Sequence, residues 1–255
     1  MIQLFRGVNG YERMLEALVN GVKGGKWFSL MDKVYAPRNL EASWLRARKN
    51  KGAAGVDSVT IARFDEHAQK YLDNLSAELR NGTYRPKPVK RVMIPKPGTT
   101  EKRPLGIPTV RDRIAQGAVR NVIEPIFEHQ FHEHSYGFRS GRGAKDALRR
   151  VGELLRQGYH WVVDADIKAY FDTIDHDLLM AEVGKHVADG RVLALIRSFL
   201  EQSVMGTTRC ASGRRSAVPR RGRLSRRSWR TSTFILSTRG SPSRGWRSSG
   251  TRTIS

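Results

Sequence analysis

Apolar residues recur at three- and four-residue steps through most of the first 205 positions, and beyond them the pattern stops. That spacing predicts helices. Residues 11–22 form a short amphipathic one with Met14, Leu15 and Leu18 on one side, ended by Gly24 and Gly25. Residues 27–48 read as helical in part, with Phe28, Leu30, Met31, Val34, Trp44 and Leu45 apolar. The stripe Ile61, Phe64, Ala68, Leu72, Leu75 and Leu79 predicts one helix to Arg80, closed by Asn81-Gly82. Thr109 caps a helix to about Phe127 with Val110, Ile114, Ala118, Val122 and Ile126 inward, and Pro125 argues for a kink or stop. A further helix buries Ala147, Leu148, Val151, Leu154 and Leu155 and closes at Gly158. Thr173 or Asp175 caps the next, through Leu178, Leu179 and Val183, and Arg191–Val204 completes the series.

Two stretches alternate instead. Arg85, Lys87, Lys90, Arg91 and Lys96 are interleaved with Val89, Val92, Met93 and Ile94, a turn follows at Pro97–Thr100, and Lys102–Pro108 returns. This predicts a β-hairpin with cations on both arms. Cations facing one another repel, so the hairpin needs an anion between them or full solvation. A triphosphate or a nucleic-acid backbone supplies that anion. The second stretch, His160–Asp172, opens on Trp161, Val162 and Val163, and then Asp164 and Asp166 alternate with Ala165 and Ile167. Period two puts both carboxylates on one strand face. Such a pair suits a divalent cation shared with substrate phosphates. An exposed strand end with solvated acids fits the same residues.

Lys and Arg number 46 against 24 Asp and Glu, a formal charge of +22, which points to nucleic acid or another polyanion. The one cysteine, Cys210, excludes an internal disulfide. No apolar run reaches the length of a membrane span and no secretory pattern opens the chain, so a cytoplasmic protein without membrane contact is expected. Two loops are rich in small and basic residues: Lys49–Gly55, where backbone could approach phosphate, and Ser135–Gly143, where Tyr136, Phe138, Arg139 and Arg142 suit base stacking and phosphate contact. An ordinary linker and a packed turn are the plain alternatives. His129, His132 and His134 match no common zinc spacing and read as structural or solvated.

Between Trp44 and Met205 the order of motifs resembles group II intron-encoded reverse transcriptases, or maturases. The matching pieces are Gly55-Val56-Asp57, Tyr84-Arg85-Pro86 leading to Ile94-Pro95-Lys96-Pro97-Gly98, Arg103–Thr109, Ser135–Arg139, and Asp164-Ala165-Asp166 through His176. The resemblance implies an α+β polymerase right hand. A helical extension would span 1–43, fingers 44–160 and the start of the palm 161–205. It implies that Asp166 is the first catalytic aspartate, holding Mg²⁺ beside the Ile167 carbonyl, and that Phe171 is the gate beneath the sugar. Lys96 and Arg103 would meet the triphosphate, and Arg85, Lys87, Lys90, Arg91, Arg139 and Arg142 the RNA template. Two Mg²⁺ ions, a deoxynucleoside triphosphate, a template with its DNA primer and the intron RNA are the implied cofactors and partners. A non-catalytic RNA-binding remnant, or a reverse transcriptase of another retroelement lineage, remains open beside this reading.

The chain departs from the family after Met205. Residues 206–255 hold thirteen arginines and no Lys, Asp or Glu, and no Tyr-Ala-Asp-Asp motif occurs anywhere. Read one base earlier, the codons of Arg220–Gly222 permit Pro-Gln-Gly. Those of Arg226–Thr231 permit Ser-Pro-Leu-Leu-Ala-Asn, and those of Thr251–Ser255 permit Tyr-Ala-Asp-Asp-Phe. These are the family's next motifs in order. The expectation is a frameshift close after Met205, a disordered Arg/Ser-rich tail, and a chain that is catalytically incomplete.

Overall fold

The structure, a computed structural model, describes residues 25–95, 98, 100–161 and 173–205. The expected helix at 11–22, the strand carrying Asp164 and Asp166, and the tail beyond 205 lie outside those residues. What is described is a mixed α and β arrangement: helices around a buried central helix, with a small sheet alongside.

The elements in chain order are α1 (Met31–Val34), α2 (Pro37–Asn50), α3 (Ile61–Asp65), α4 (Ala68–Asn81), β1 (Val89–Pro95), β2 (Lys102–Ile107), α5 (Val110–Glu128), α6 (Ala144–Arg156), α7 (His176–Gly184), α8 (Gly190–Leu200) and β3 (Val204–Met205). Helix α5 is the centre. Thr109 caps it, its hydroxyl accepting from the Asp112 N–H, as the sequence predicts. Every member of the predicted stripe, Val110, Ile114, Ala118, Val122 and Ile126, is buried, and Pro125 sits inside the last turn without ending the helix before Glu128.

Helix α2 lies along α5, and the crossing is partly polar. The Asn39 amide donates to the carbonyls of Lys33 at 2.9 Å and Ala118 at 3.0 Å, and Asn121 donates to the Asn39 side chain at 2.9 Å and to Ser43 Oγ at 3.1 Å. These buried amides are thus satisfied. Gly117 permits the close approach, since a Cβ there would come within 3.3 Å of the Ser43 Cβ.

A second tie joins the start of the described chain to its end. Asp189 caps α8 through the N–H groups of Arg191 and Val192, and its other oxygen accepts from Leu30 and Met31, each at 2.8 Å. One carboxylate therefore holds the first turns of α1 and α8 together. Trp27 bridges to Val187 beside it.

Three expectations are corrected. The single helix over 61–80 is two, because His67 leaves helical geometry at φ −132°; the break sets Phe64 between Trp44 and Tyr71, with ring centroids 4.7 and 4.9 Å away. Gly82 closes the second at φ 72°, as expected. The helix read to Val204 ends at Leu200. The Val89 N–H donates to the Ser203 carbonyl at 2.8 Å and draws Val204–Met205 into a parallel strand, giving sheet order β2-β1-β3. Finally, no residue of α6 is buried. Leu148 is 70% exposed and Val151 and Leu155 are each 49%, and no described helix or strand makes more than slight contact with α6. Among the described residues no helix is long and apolar enough to cross a membrane.

Candidate nucleic-acid site

The hairpin forms as read: β1 and β2 are antiparallel and Gly98 turns between them at φ 74°. The register answers the repulsion argument. Ile94 faces Arg103, Lys90 faces Ile107, Arg91 faces Gly106 and Pro95 faces Lys102. No described cation stands opposite another, so the pairing needs no anion between its arms. Because cross-strand partners share a face, Lys90 and Arg103 lie on one side with Val92, Ile94, Leu105 and Ile107, and Arg91 and Lys102 lie on the other.

The base of the hairpin is fixed by a buried acid. Asp112 is fully buried on the first turn of α5. It accepts from the Tyr84 hydroxyl at 2.6 Å, the Thr109 hydroxyl at 2.8 Å and the Lys87 N–H at 3.2 Å. Burial pushes its carboxyl above the ordinary carboxylate range, against those three hydrogen bonds. The Tyr84 hydroxyl is pushed up too, first by burial and then by Asp112. Arg111 lies over the Tyr84 ring at 4.9 Å and pairs with Glu78.

Behind the hairpin lies a cavity of about 720 Å³, walled by the C-terminal half of α2, the loop at Lys51–Ala53, the strand end Leu105–Pro108 and the first turns of α5. Arg46, Lys51, Arg113 and Arg120 line it, with Gln116. The loop is held in a demanding shape. Lys51 has φ 52° and ψ −147°, a region that a side chain rarely adopts. Gly52 has φ 114°. A Cβ on Gly55 would lie 2.7 Å from the Thr109 Cα, so the Gly55-Val56-Asp57 motif needs glycine where its backbone meets the cap of α5. Asp57 then pairs with Lys87 at 3.5 Å.

The cations here are unevenly neutralised. Arg113 donates to the carbonyls of Pro108, at 3.1 Å, and Ala53, which ties loop to strand. Arg120 pairs with Glu124 at 3.1 Å. Arg46 has a neutral hydrogen-bond partner, the Asn121 side-chain oxygen at 3.3 Å, and its pKa is lowered by burial and by the charge of Arg120, against the charge of Glu124. Lys51 makes no ion pair among the described residues. The Gln116 amide nitrogen is buried with no hydrogen-bond partner among the described residues.

The residues picked from sequence divide. Lys87, Lys90, Arg91 and Arg103 stand on the hairpin or at its base, and Arg85 donates back to the carbonyls of Gly82 and Tyr84 at 2.9 and 2.8 Å. Arg139 points inward. Its side chain is 5% exposed, it pairs with Glu128 at 2.6 Å, donates to the carbonyls of His132 and Ser135 at 2.8 and 2.9 Å, and lies over Phe131. It holds the loop rather than offering its fork to a phosphate. Arg142 lies over the Tyr136 ring at 6.0 Å and donates to the Glu133 carbonyl. Lys96, Asp166, Ile167 and Phe171 lie outside the described residues. Among those described, no group of three or more His, Cys, Asp or Glu is placed to hold a metal ion.

Arg46, Arg113, Gln116 and Arg120 escaped the sequence reading, although a signal existed. Positions 113, 116 and 120 step by three and four along α5, a polar stripe on a helix that is otherwise buried.

Residues 94–225 match the family described as "Reverse transcriptase (RNA-dependent DNA polymerase)". This chain belongs to the reverse transcriptase family. Among its relatives, Protein YkfC of Escherichia coli (strain K12) is 39% identical over 184 residues, covering 69% of this chain and 47% of the relative. The group II intron-encoded protein LtrA of Lactococcus lactis subsp. cremoris is 38% identical over 152 residues, covering 60% of this chain and 25% of LtrA. The relatives place the chain with group II intron reverse transcriptases and maturases. A solved chain described as "Partial Cas6-RT-Cas1--Cas2 complex" shares 22% identity at a TM-score of 0.49, covering 82% of this chain and 34% of that one. The chain spans about half the length of YkfC and a quarter of LtrA.

Proposed function

We propose that the described residues are the RNA-gripping part of a group II intron reverse transcriptase: fingers over 44–160 and the beginning of a palm over 161–205, with the hairpin and the cavity behind it as the nucleic-acid surface. The observation that carries this is the half-buried Arg46, whose side-chain hydrogen bond goes to the neutral Asn121 and which shares the nearby Glu124 with Arg120, in a cavity it also shares with Arg113 and the strained Lys51. Cations crowded into a partly dry pocket are costly until an anion arrives, and a polynucleotide supplies anions at regular intervals. Arg103 and Lys90, on one face of the hairpin, extend the track, and by the family resemblance Arg103 and Lys96 would meet the triphosphate of a nucleotide. Arg85, Lys87 and Arg91, on or beside the hairpin, and Arg142, on the Ser135–Gly143 loop, would add phosphate contacts. Phe171 would select deoxynucleotides. By the family resemblance Asp166 and Ile167 are where Mg²⁺ would be held, and bound there it supplies charge stabilisation for phosphoryl transfer.

Within these 255 residues no Tyr-Ala-Asp-Asp occurs, so this polypeptide by itself binds RNA without extending a primer. The frameshift reading of residues 206–255 gives the reason, and the coding DNA tests it: the preceding frame must spell the three missing motifs. A fluorescently labelled 20-nucleotide RNA tests the grip. Binding that weakens steeply with salt is expected, and none at low salt would refute the reading. A primer-extension assay with Mg²⁺ and deoxynucleotides is expected to give no cDNA. Full-length product would show that the residues present suffice.

A further inference from the structure

Within the cavity, three side chains stand apart from the loop and hairpin. Arg46 reaches in from α2, Gln116 and Arg120 from one face of α5, and none is tied to the loop that closes the mouth. Arg120 pairs with Glu124, whose charge also acts on Arg46, so one carboxylate serves two guanidinium groups while Arg46 hydrogen-bonds a neutral amide. Gln116 has a buried nitrogen that donates to nothing among the described residues. Buried donors without acceptors are rare, and one beside two guanidinium groups calls for an oxyanion.

We propose that Arg46, Arg120 and the Gln116 amide form a phosphate seat taking one backbone phosphodiester of single-stranded RNA. The inference rests on the reading of this chain as an RNA binder and names the atoms that would do the gripping. A strand is favoured over a free phosphate by the rest of the cavity. Its volume of about 720 Å³ far exceeds a phosphate, and Ala47, Leu105, Ile107 and Pro108 offer apolar wall on which a sugar or base can lie. Asn121 orients the seat, since its oxygen accepts from Arg46 while its nitrogen is anchored on Asn39 and Ser43.

The test uses the full chain and an unstructured 20-nucleotide RNA, measured by fluorescence anisotropy from 50 to 300 mM salt. Two variants separate binding from folding. Gln116→Leu removes the orphaned donor, so a melting temperature at or above the parent's together with RNA binding about tenfold weaker is expected. Arg46→Gln keeps a donor for Asn121 and removes the charge. About tenfold weaker binding is expected, with the log–log salt slope shallower by about 0.7, one phosphate's worth. Parental affinity and slope in both variants would overturn the seat while leaving the RNA reading intact, as would a loss of binding by Gln116→Leu that merely follows a loss of melting temperature. If the parent itself binds no RNA, the RNA reading falls and the seat for a strand with it. Pyrophosphate, added as a competitor and in thermal-shift titrations, covers the free-phosphate source. An Arg46-dependent shift with pyrophosphate but no displacement of RNA would assign the seat to a free anion instead.

Discussion

Two buried aspartates respond to pH in opposite directions. For Asp189, burial pushes the carboxyl up, but hydrogen bonds from the N–H groups of Leu30, Met31, Val192 and Arg191 outweigh it and hold the group below the ordinary carboxylate range. The folded state therefore binds this proton less tightly than the unfolded chain. The stability it contributes is present above the ordinary carboxylate range and lost as pH falls through the folded value. Asp189→Ala is expected to cost about 2 kcal/mol at pH 7, as two helix ends lose a cap. The deficit should shrink toward about pH 3 in urea titrations. Asp112 runs the other way. Its carboxyl is raised, so the folded state holds the proton more tightly and stability falls as pH rises through the folded value. The advantage of the parent over Asp112→Asn should accordingly narrow as pH rises above the ordinary carboxylate range, measured the same way. Sequence shows the Thr109 cap because capping is local. It does not show that Arg139 turns inward, because an arginine among aromatics reads alike whether it faces a phosphate or Glu128.

At the scale of elements, local pattern was legible and long-range pairing was not. The hairpin and α5 follow from alternation, turn residues and a cap. Strand β3 does not, since two residues that pair with a strand more than a hundred positions earlier leave no periodic signal. The stripe on α6 shows that one face is apolar without showing what meets it. The loop at Lys51–Gly55 was legible as small and basic, and its reason is geometric: backbone passes against the cap of α5. Gly55→Ala places a methyl about where Thr109 backbone already lies, at 2.7 Å. A loss of about 1–3 kcal/mol is expected in thermal unfolding. RNA binding should weaken as well, because Ala53 and Gly52 shift away from Arg113. On α6, Leu148→Glu should change stability by less than about 0.5 kcal/mol, since the side chain is 70% exposed. It should also reduce self-association on size exclusion, because Leu148, Val151 and Leu155 form an open apolar face.

The charge of the whole molecule sets how it meets RNA, and its distribution matters more than its sum. Of the formal +22, thirteen charges are arginines beyond residue 205, which leaves +9 for residues 1–205. Several surface cations of the described part are paired with acids: Arg48 with Asp65, Arg149 with Asp146, Arg150 with Glu153, Lys185 with Glu182 and Arg197 with Asp177. Seven others gather at the hairpin and the cavity: Lys90, Arg91, Lys102, Arg103, Arg46, Lys51 and Arg113. If about five of these meet phosphates at once, single-stranded RNA binding has a log–log salt slope of about −3.5, and affinity falls about a hundredfold between 50 and 200 mM salt. The tail's thirteen arginines carry charge without a shaped site, so ending the chain at Met205 tests which grip matters. If the described surface holds the RNA, the shortened chain keeps a slope near −3.5 and loses affinity mainly at low salt. A slope collapsing toward zero on truncation would assign the grip to the tail. Reversing the pair Lys90→Glu and Arg103→Glu, on the face shared with the cavity strand, should then flatten the slope by about 1.4 in the shortened chain, two phosphates' worth, while the same change at exposed, acid-paired Arg149 leaves it unmoved.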